Sequence, residues 1–358
     1  MSRMRIKWAW MISVVLLVSC QATGSATPSV DDEAAGDFVR YPPIDTPVFE
    51  ALSSQPFSFD PPLPQGQSLF RAGALTYDGQ QFYLFVNLYS DDEGPNAVYI
   101  ATSEDGLNWT LHEEPVVQAS PGSGTFYLAS DILEDEAGTW HLYLSTNLTG
   151  PGFTPQFSIW QATAAALDGP WTLGDEPLLE RGAPDAWDQG AVLLPLVLET
   201  EFGYVMYYHG SSTSEGNMGT SIGLAVSVDG VDWVRGIPGG AESPYPENDN
   251  VVASRFDGDW GDVMARDVWR TSNGWQMLYI QFFGQTQFPE LRMATSPDGV
   301  DWDPMDEPVS FTLSGLEYFP GPLDAVLLPR QDGYDLVIWT FRSYNELDLY
   351  MTQIRMEE

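Results

Sequence analysis

Apolar and polar positions along this chain follow strand rhythm. Short apolar or alternating runs are broken by Gly, Pro, Asp and Asn, and no stretch of useful length has a 3.6-residue period. One pattern occurs five times: an apolar strand, a turn, then an aromatic strand. Gly73-Ala-Leu-Thr-Tyr precedes Phe82-Tyr-Leu-Phe-Val86, and Asp131-Ile-Leu precedes Trp140-His-Leu-Tyr-Leu144. Ala191-Val-Leu-Leu precedes Tyr204-Val-Met-Tyr-Tyr208, and Asp267-Val-Trp precedes Trp275-Gln-Met-Leu-Tyr-Ile280. Ala325-Val-Leu-Leu precedes Tyr334-Asp-Leu-Val-Ile-Trp339.

A second repeat follows the first. Ala101-Thr-Ser-Glu-Asp-Gly-Leu-Asn-Trp109 returns as Ala225-Val-Ser-Val-Asp-Gly-Val-Asp-Trp233 and as Ala294-Thr-Ser-Pro-Asp-Gly-Val-Asp-Trp302, with a looser copy ending Asp168-Gly-Pro-Trp171. Asp-Gly makes a tight hairpin turn, because Gly accepts a positive φ and Asp bonds nearby amides. The Trp is expected to pack under the turn. Each unit therefore has about four strands, and five units close radially into an all-β, five-bladed β-propeller of four-stranded antiparallel blades. The fifth unit ends at Leu349-Tyr-Met-Thr-Gln-Ile354 without its own Asp-Gly-x-x-Trp. A segment around Phe49 to Phe59 is expected to supply the missing outer strand and fasten the ring.

Composition narrows the function classes. The 358 residues hold 14 Lys+Arg against 51 Asp+Glu, a net charge of −37. Such a surface excludes ordinary nucleic-acid binding and charge-driven docking on anionic lipid. It is also self-repelling, and a monomer is expected. The 13 Trp, 16 Tyr, 18 Phe, 33 Gly and 27 Pro suit many short strands and tight turns. The single cysteine excludes intramolecular disulfides and cysteine-rich metal sites. It stands at the end of Leu17-Val-Ser-Cys20, after a basic start (Arg3, Arg5, Lys7) and an apolar run from Trp8 to Ser19 that is too short to span a bilayer. This resembles a bacterial lipobox. The resemblance implies a lipoprotein signal over 1–19, lipidation of Cys20, and an exported protein at the cell surface or outer membrane that meets the membrane only through its anchor. Residues 20–45 read as a flexible tether, and 46–358 as the propeller.

The repeats, together with Trp187-Asp-Gln-Gly-Ala-Val-Leu-Leu-Pro195, Tyr204-Val-Met-Tyr-Tyr-His-Gly210 and Ile222-Gly-Leu-Ala-Val-Ser227, resemble the five-bladed furanosidase superfamily: glycoside hydrolase families 32, 43, 62 and 68, with family 130 phosphorylases nearby. In that superfamily, carboxylates where the innermost strands begin do the chemistry. Glycoside cleavage needs two: one gives a proton to the leaving oxygen, the other attacks or activates water. Aligning the innermost strands of this chain gathers Arg71, Asp131, Asp188, Arg266, Asp267 and Asp324 at strand starts. Ala129-Ser-Asp131-Ile matches the family 43 second-blade pattern, whose Asp tunes the acid. Trp187-Asp188 sits where family 32 carries Trp-Glu, whose Glu is the proton donor. The chain departs from the pattern in blade 1, which has Arg71-Ala-Gly-Ala74 where relatives have Asp-Pro, and in blade 4, which has Arg266-Asp267 in place of Glu-Gly-Pro.

The resemblance thus implies Asp131, Asp188 and Asp267 as catalytic candidates. Arg71, Arg266, Asp324 and His209 are the candidates for holding a carbohydrate. No cofactor or metal is expected. Asp257-Gly-Asp259-Trp-Gly-Asp262 alternates acids as calcium loops do, but lacks their remaining ligands and reads as a solvated turn. Two functions stay open: a tethered glycosidase, and a degenerate propeller that binds carbohydrate or serves as a surface scaffold.

Overall fold

The computed structural model describes residues 39–90, 94–120, 122–147, 157–201, 203–212, 221–238, 244, 250–253, 262–282, 289–312, 324–343 and 346–355. Cys20, the expected signal, most of the expected tether and the loop 257–261 lie outside them.

The described residues form five sheets. Blade 1 runs Gln67–Tyr77, Phe82–Ser90, Gly94–Ser103 and Trp109–Leu111 from the inside outward; blade 2 runs Tyr127–Glu134, Trp140–Thr146, Ser158–Ala164 and Thr172–Leu173. Blade 3 is Ala191–Thr200, Gly203–Ser211, Ser221–Ser227 and Val234–Arg235, and blade 4 is Asp262–Thr271, Gly274–Phe282, Glu290–Ser296 and Asp303–Pro304. Blade 5 has Asp324–Arg330, Gly333–Ser343 and Glu346–Arg355 from the C-terminal end and takes its outer strand, Val48–Ala51, from the N-terminal side. That strand pairs antiparallel with Glu346–Arg355 (Glu50 opposite Gln353), and Phe49 is fully buried. The chain then crosses to blade 1, where Phe59 pairs with Trp109. The expected fastening segment does close the ring.

Packed ordering begins earlier than the sequence suggested. Tyr41 bridges to Thr271. Ile44 is buried, and its backbone amide and carbonyl are both bound by the Gln276 side chain, at 2.9 and 2.8 Å. The expected tether of residues 20–45 therefore gives way to packed chain by residue 41.

Each hydrophobic core lies between two neighbouring blades. Leu84, Trp109, Val337 and Met351 join blades 5 and 1; Phe85, Val98, Leu142 and Trp160 join 1 and 2; Tyr143, Val192 and Tyr208 join 2 and 3. Tyr207, Leu224 and Tyr279 join blades 3 and 4, and Trp269, Leu278 and Leu336 join 4 and 5. This is how a small four-stranded sheet, apolar on both faces, buries both.

The repeated turns explain why the motif recurs. In blade 3 the Gly230 amide donates to Ser227 Oγ at 2.9 Å, and the amides of Val231 and Asp232 donate to Asp229 Oδ1 at 2.9 Å. The Trp233 indole then donates to the Gly230 carbonyl at 3.0 Å. The same set joins Ser103, Asp105, Gly106 and Trp109, and Ser296, Asp298, Gly299 and Trp302. The three glycines have φ of 73°, 74° and 79°, which favours Gly.

Candidate axial site

Four of the five inner strands carry a register shift in mid-strand: after Ala72, after Ala129, after Leu193 and after Ala265. Bulges bend a strand and re-aim side chains, and they recur beside functional sites. The second strand of one blade holds the bulge of the next. Asn87 bonds the amide and carbonyl of Ala129, at 2.7 and 3.2 Å, and the Leu194 amide donates to Ser145 Oγ at 2.8 Å. The His209 ring bonds the backbone of Ala265.

These shifts sort the predicted residues into two layers. Asp131 stands opposite Tyr143, and Asp267 opposite Leu278. Both partners lie three residues beyond Trp140 and Trp275, so the two acids share one level. Arg71 stands opposite Asn87, and Asp324 opposite Trp339, each five residues beyond Phe82 and Tyr334. That layer is two residues, about 6.6 Å of strand, nearer the strand starts. Arg266 occupies the blade 4 bulge between the levels. The expectation of a single ring of acids at strand starts is thus corrected: the bulges, invisible in an ungapped alignment, displace Asp131 and Asp267 along the axis.

In the deeper layer, the Asp131 carboxylate accepts the Val197 amide at 2.6 Å and the Ile132 amide at 2.8 Å. Burial outweighs both bonds and pushes its pKa up to about 7. Asp267 accepts the Val268 amide at 2.7 Å. Its pKa is raised well above the usual carboxylate range, by burial first and then by the charge of Asp131. Both acids line a cavity of about 460 Å³ that runs from their level to the strand ends. Leu75, Leu196 and Leu327 share its inner end, while Trp140, Glu199 and Tyr41 line it further out. The Tyr41 hydroxyl is pushed up by burial and by Asp267.

The outer layer is an ion cluster. Arg71 Nη2 lies 3.8 Å from Asp324 Oδ2, and Arg266 Nε contacts Asp324 Oδ1. The Ala325 amide donates to the same carboxylate at 2.8 Å. Burial lowers the pKa of both arginines, that of Arg266 to about 9 with Arg71 adding to the effect, while Asp324 acts against the fall. His209 is fully buried; burial and the charge of Arg266 hold its pKa well below the ordinary value, so its imidazole is neutral.

Asp188 is not brought to this axis group. It is fully buried, and its Oδ2 accepts the Tyr208 hydroxyl at 2.8 Å and Arg235 Nε at 2.7 Å. Asn250 ties Tyr208 to the Trp187 indole, at 2.7 and 3.0 Å. Arg235, on the outer strand, carries no signal in the sequence that it reaches Asp188. Tyr41 did carry one, as an aromatic before Pro42-Pro43 in an otherwise featureless segment. Among the described residues no three His, Cys, Asp or Glu side chains converge as metal ligands.

No protein-family model matches the sequence, and no curated protein matches it. Solved structures do. One, described as a glycoside hydrolase, is 15% identical with a TM-score of 0.62, covering 87% of this chain and 92% of its own. A family 117 glycoside hydrolase from the marine bacterium Zobellia galactanivorans is 16% identical, TM-score 0.59, covering 86% and 90%. A thermostable family-43 glycoside hydrolase is 14% identical, TM-score 0.56, covering 83% and 92%. At these identities the likeness is one of fold: this chain has the five-bladed propeller of those enzymes.

Proposed function

We propose that this protein is a glycoside hydrolase-like enzyme that cleaves a glycan by carboxylate acid–base catalysis at the propeller axis. The observation that carries the reading is the pairing of Asp131 and Asp267, which come from blades 2 and 4, share one level and line one cavity. Two interacting acids with raised pKa values divide the roles that glycoside cleavage needs. Asp267, held well above the usual carboxylate range by burial and by the charge of Asp131, is the neutral proton donor to the leaving oxygen. Asp131, titrating near pH 7, is the carboxylate that attacks the anomeric carbon or takes the proton of the attacking water. The cavity is within the size range of small-molecule sites. A second recess of about 420 Å³ shares Glu134 and Trp140 with it and adds Tyr77, Tyr83, Asp78 and Asp168. Rings to stack on sugar faces beside carboxylates to accept hydroxyls suit a longer glycan.

The test is a polysaccharide hydrolysis screen, followed by Asp131→Asn and Asp267→Asn on whichever glycan is cleaved. Both variants should lose turnover; full activity in both removes the assignment. The screen also decides the second reading, glycan binding without cleavage. Arg71-Ala-Gly-Ala74 at the blade 1 position and the capture of Asp188 by Arg235 favour that alternative. It requires affinity for a glycan that the wild-type chain never hydrolyses.

Export and tethering through Cys20 belong to the same proposal, supported by the sequence of residues 1–20. Cys20→Ser should move the protein from the membrane to the soluble fraction and abolish labelling by a radioactive fatty acid. Unchanged partition would remove the anchor.

A further inference from the structure

The buried cations of the axis outnumber the acid they face. Arg71 and Arg266 reach in from blades 1 and 4 and share one carboxylate, Asp324 of blade 5. His209 adds no charge. The guanidinium side chains are 8% and 2% exposed, and that of Asp324 is 12% exposed. Arg266 Nη1 reaches only the Ala265 carbonyl, at 3.5 Å, and Arg266 Nη2 has no hydrogen-bond partner among the described residues.

This is an uncommon arrangement in a chain whose net charge is −37. A buried charge without a counter-charge and a buried donor without a partner are both costly. The mutual repulsion of the two arginines reflects the same mismatch. One unmatched positive charge calls for one negative charge. The planar guanidinium fork, with Nη2 still unused, suits a planar carboxylate that can take two parallel N–H bonds. Asp324 is the first residue of its inner strand, so the cluster faces the strand-start end of the axis, opposite the cavity that holds Asp131 and Asp267.

We propose that Arg71 and Arg266 form an anion site at the strand-start end of the axis, separate from the cavity of Asp131 and Asp267, that takes the carboxylate of an acidic sugar such as a uronic acid residue. The sugar part of this inference rests on the glycan reading above; the anion site itself does not.

The full chain is titrated calorimetrically at pH 7 with oligogalacturonate and oligoglucuronate, each beside its carboxyl-reduced form, and with sodium acetate and sodium sulfate. In at least one pair the acidic member should bind roughly tenfold tighter or more. Arg266→Gln should bring that ratio close to one, and Asp324→Asn, which removes the internal competitor, should raise it. If Arg266→Gln does not fold, Arg71→Lys reads the same ratio. Equal affinity within both pairs, or a ratio unchanged by the arginine substitutions, overturns the carboxylate subsite while the glycan reading stands. Acetate binding with no oligosaccharide bound keeps the anion site and overturns its assignment to a sugar. Tighter binding of sulfate than of acetate overturns the choice of a carboxylate.

Discussion

The two axial layers use the same residue type to opposite ends. Asp131, Asp267 and Asp324 all stand on inner strands, and each accepts the amide of the next residue at 2.7 to 2.8 Å. That bond does not distinguish them; their other neighbours do. Asp131 and Asp267 face amides, apolar side chains and each other, and they become weak acids. Asp324 faces two guanidiniums. The first layer is built to hold and release protons, the second to hold charge.

The sharpest way to break this comparison is Asp267→Asn. The amide keeps an oxygen for the Val268 N–H but has no proton to give. Turnover should fall by about 10²–10⁴-fold, the usual worth of a general acid. Thermal or urea unfolding should show a stability no lower than wild type at pH 8, because the variant no longer keeps a buried carboxyl in an apolar setting. A variant that is less active and clearly less stable would mean that Asp267 is structural.

Asp324→Ala gives the opposite outcome. It leaves two buried guanidiniums facing each other, and breaking a buried pair in this way costs about 3–5 kcal/mol. The loss is read by urea unfolding at pH 7, where Asp267→Asn shows none. Equal effects from the two substitutions would erase the distinction between the layers.

Titration separates the layers next. The folded pKa of Asp131 is about 7, above the unfolded value near 3.9, so between those limits the native state holds a proton that the unfolded chain has released. Its contribution to stability is present at low pH and is lost as pH rises toward 7, by roughly 1.4 kcal/mol per unit. Asp267 is raised in the same sense, by burial and by Asp131, so its contribution too is lost as pH rises. The stability difference between Asp267→Asn and wild type should therefore grow from pH 4 upward. A constant difference would show that Asp267 does not titrate in the folded protein.

The sequence made the ring legible because its signals are local. Asp-Gly turns, their Trp caps and the aromatic second strands each act within a few residues, so their recurrence counts the blades. The site was legible in residue type only. The sequence marks Asp131, Asp267, Arg71, Arg266 and Asp324, yet their split into two layers depends on one-residue bulges that hydrophobic pattern does not mark. The motif of Asp188 resembles a catalytic one and predicts a place at the axis. What holds it away is Arg235, an outer-strand residue 47 positions later. Side-chain partners at such separations have no periodic signature.

The smallest effect lies at the rim, and it tests whether the titrating behaviour belongs to the axis alone. Ser227, Ser103 and Ser296 each accept the turn glycine's amide at 2.9 Å. Blade 2 supplies the natural contrast. Opposite Trp140, where blades 1, 3 and 4 have Ser, it has Ala164, and the Gly169 amide donates instead to the Ala166 carbonyl at 2.9 Å. Ser227→Ala should therefore cost about 1 kcal/mol, the net worth of one hydrogen bond. Ala164→Ser should gain nothing, because the amide it would serve is already bonded. Neither hydroxyl titrates, so the pH–stability curve of Ser227→Ala should run parallel to wild type. A change of slope in that variant would place part of the pH dependence in the outer turns and weaken the assignment of the protonatable pair to Asp131 and Asp267.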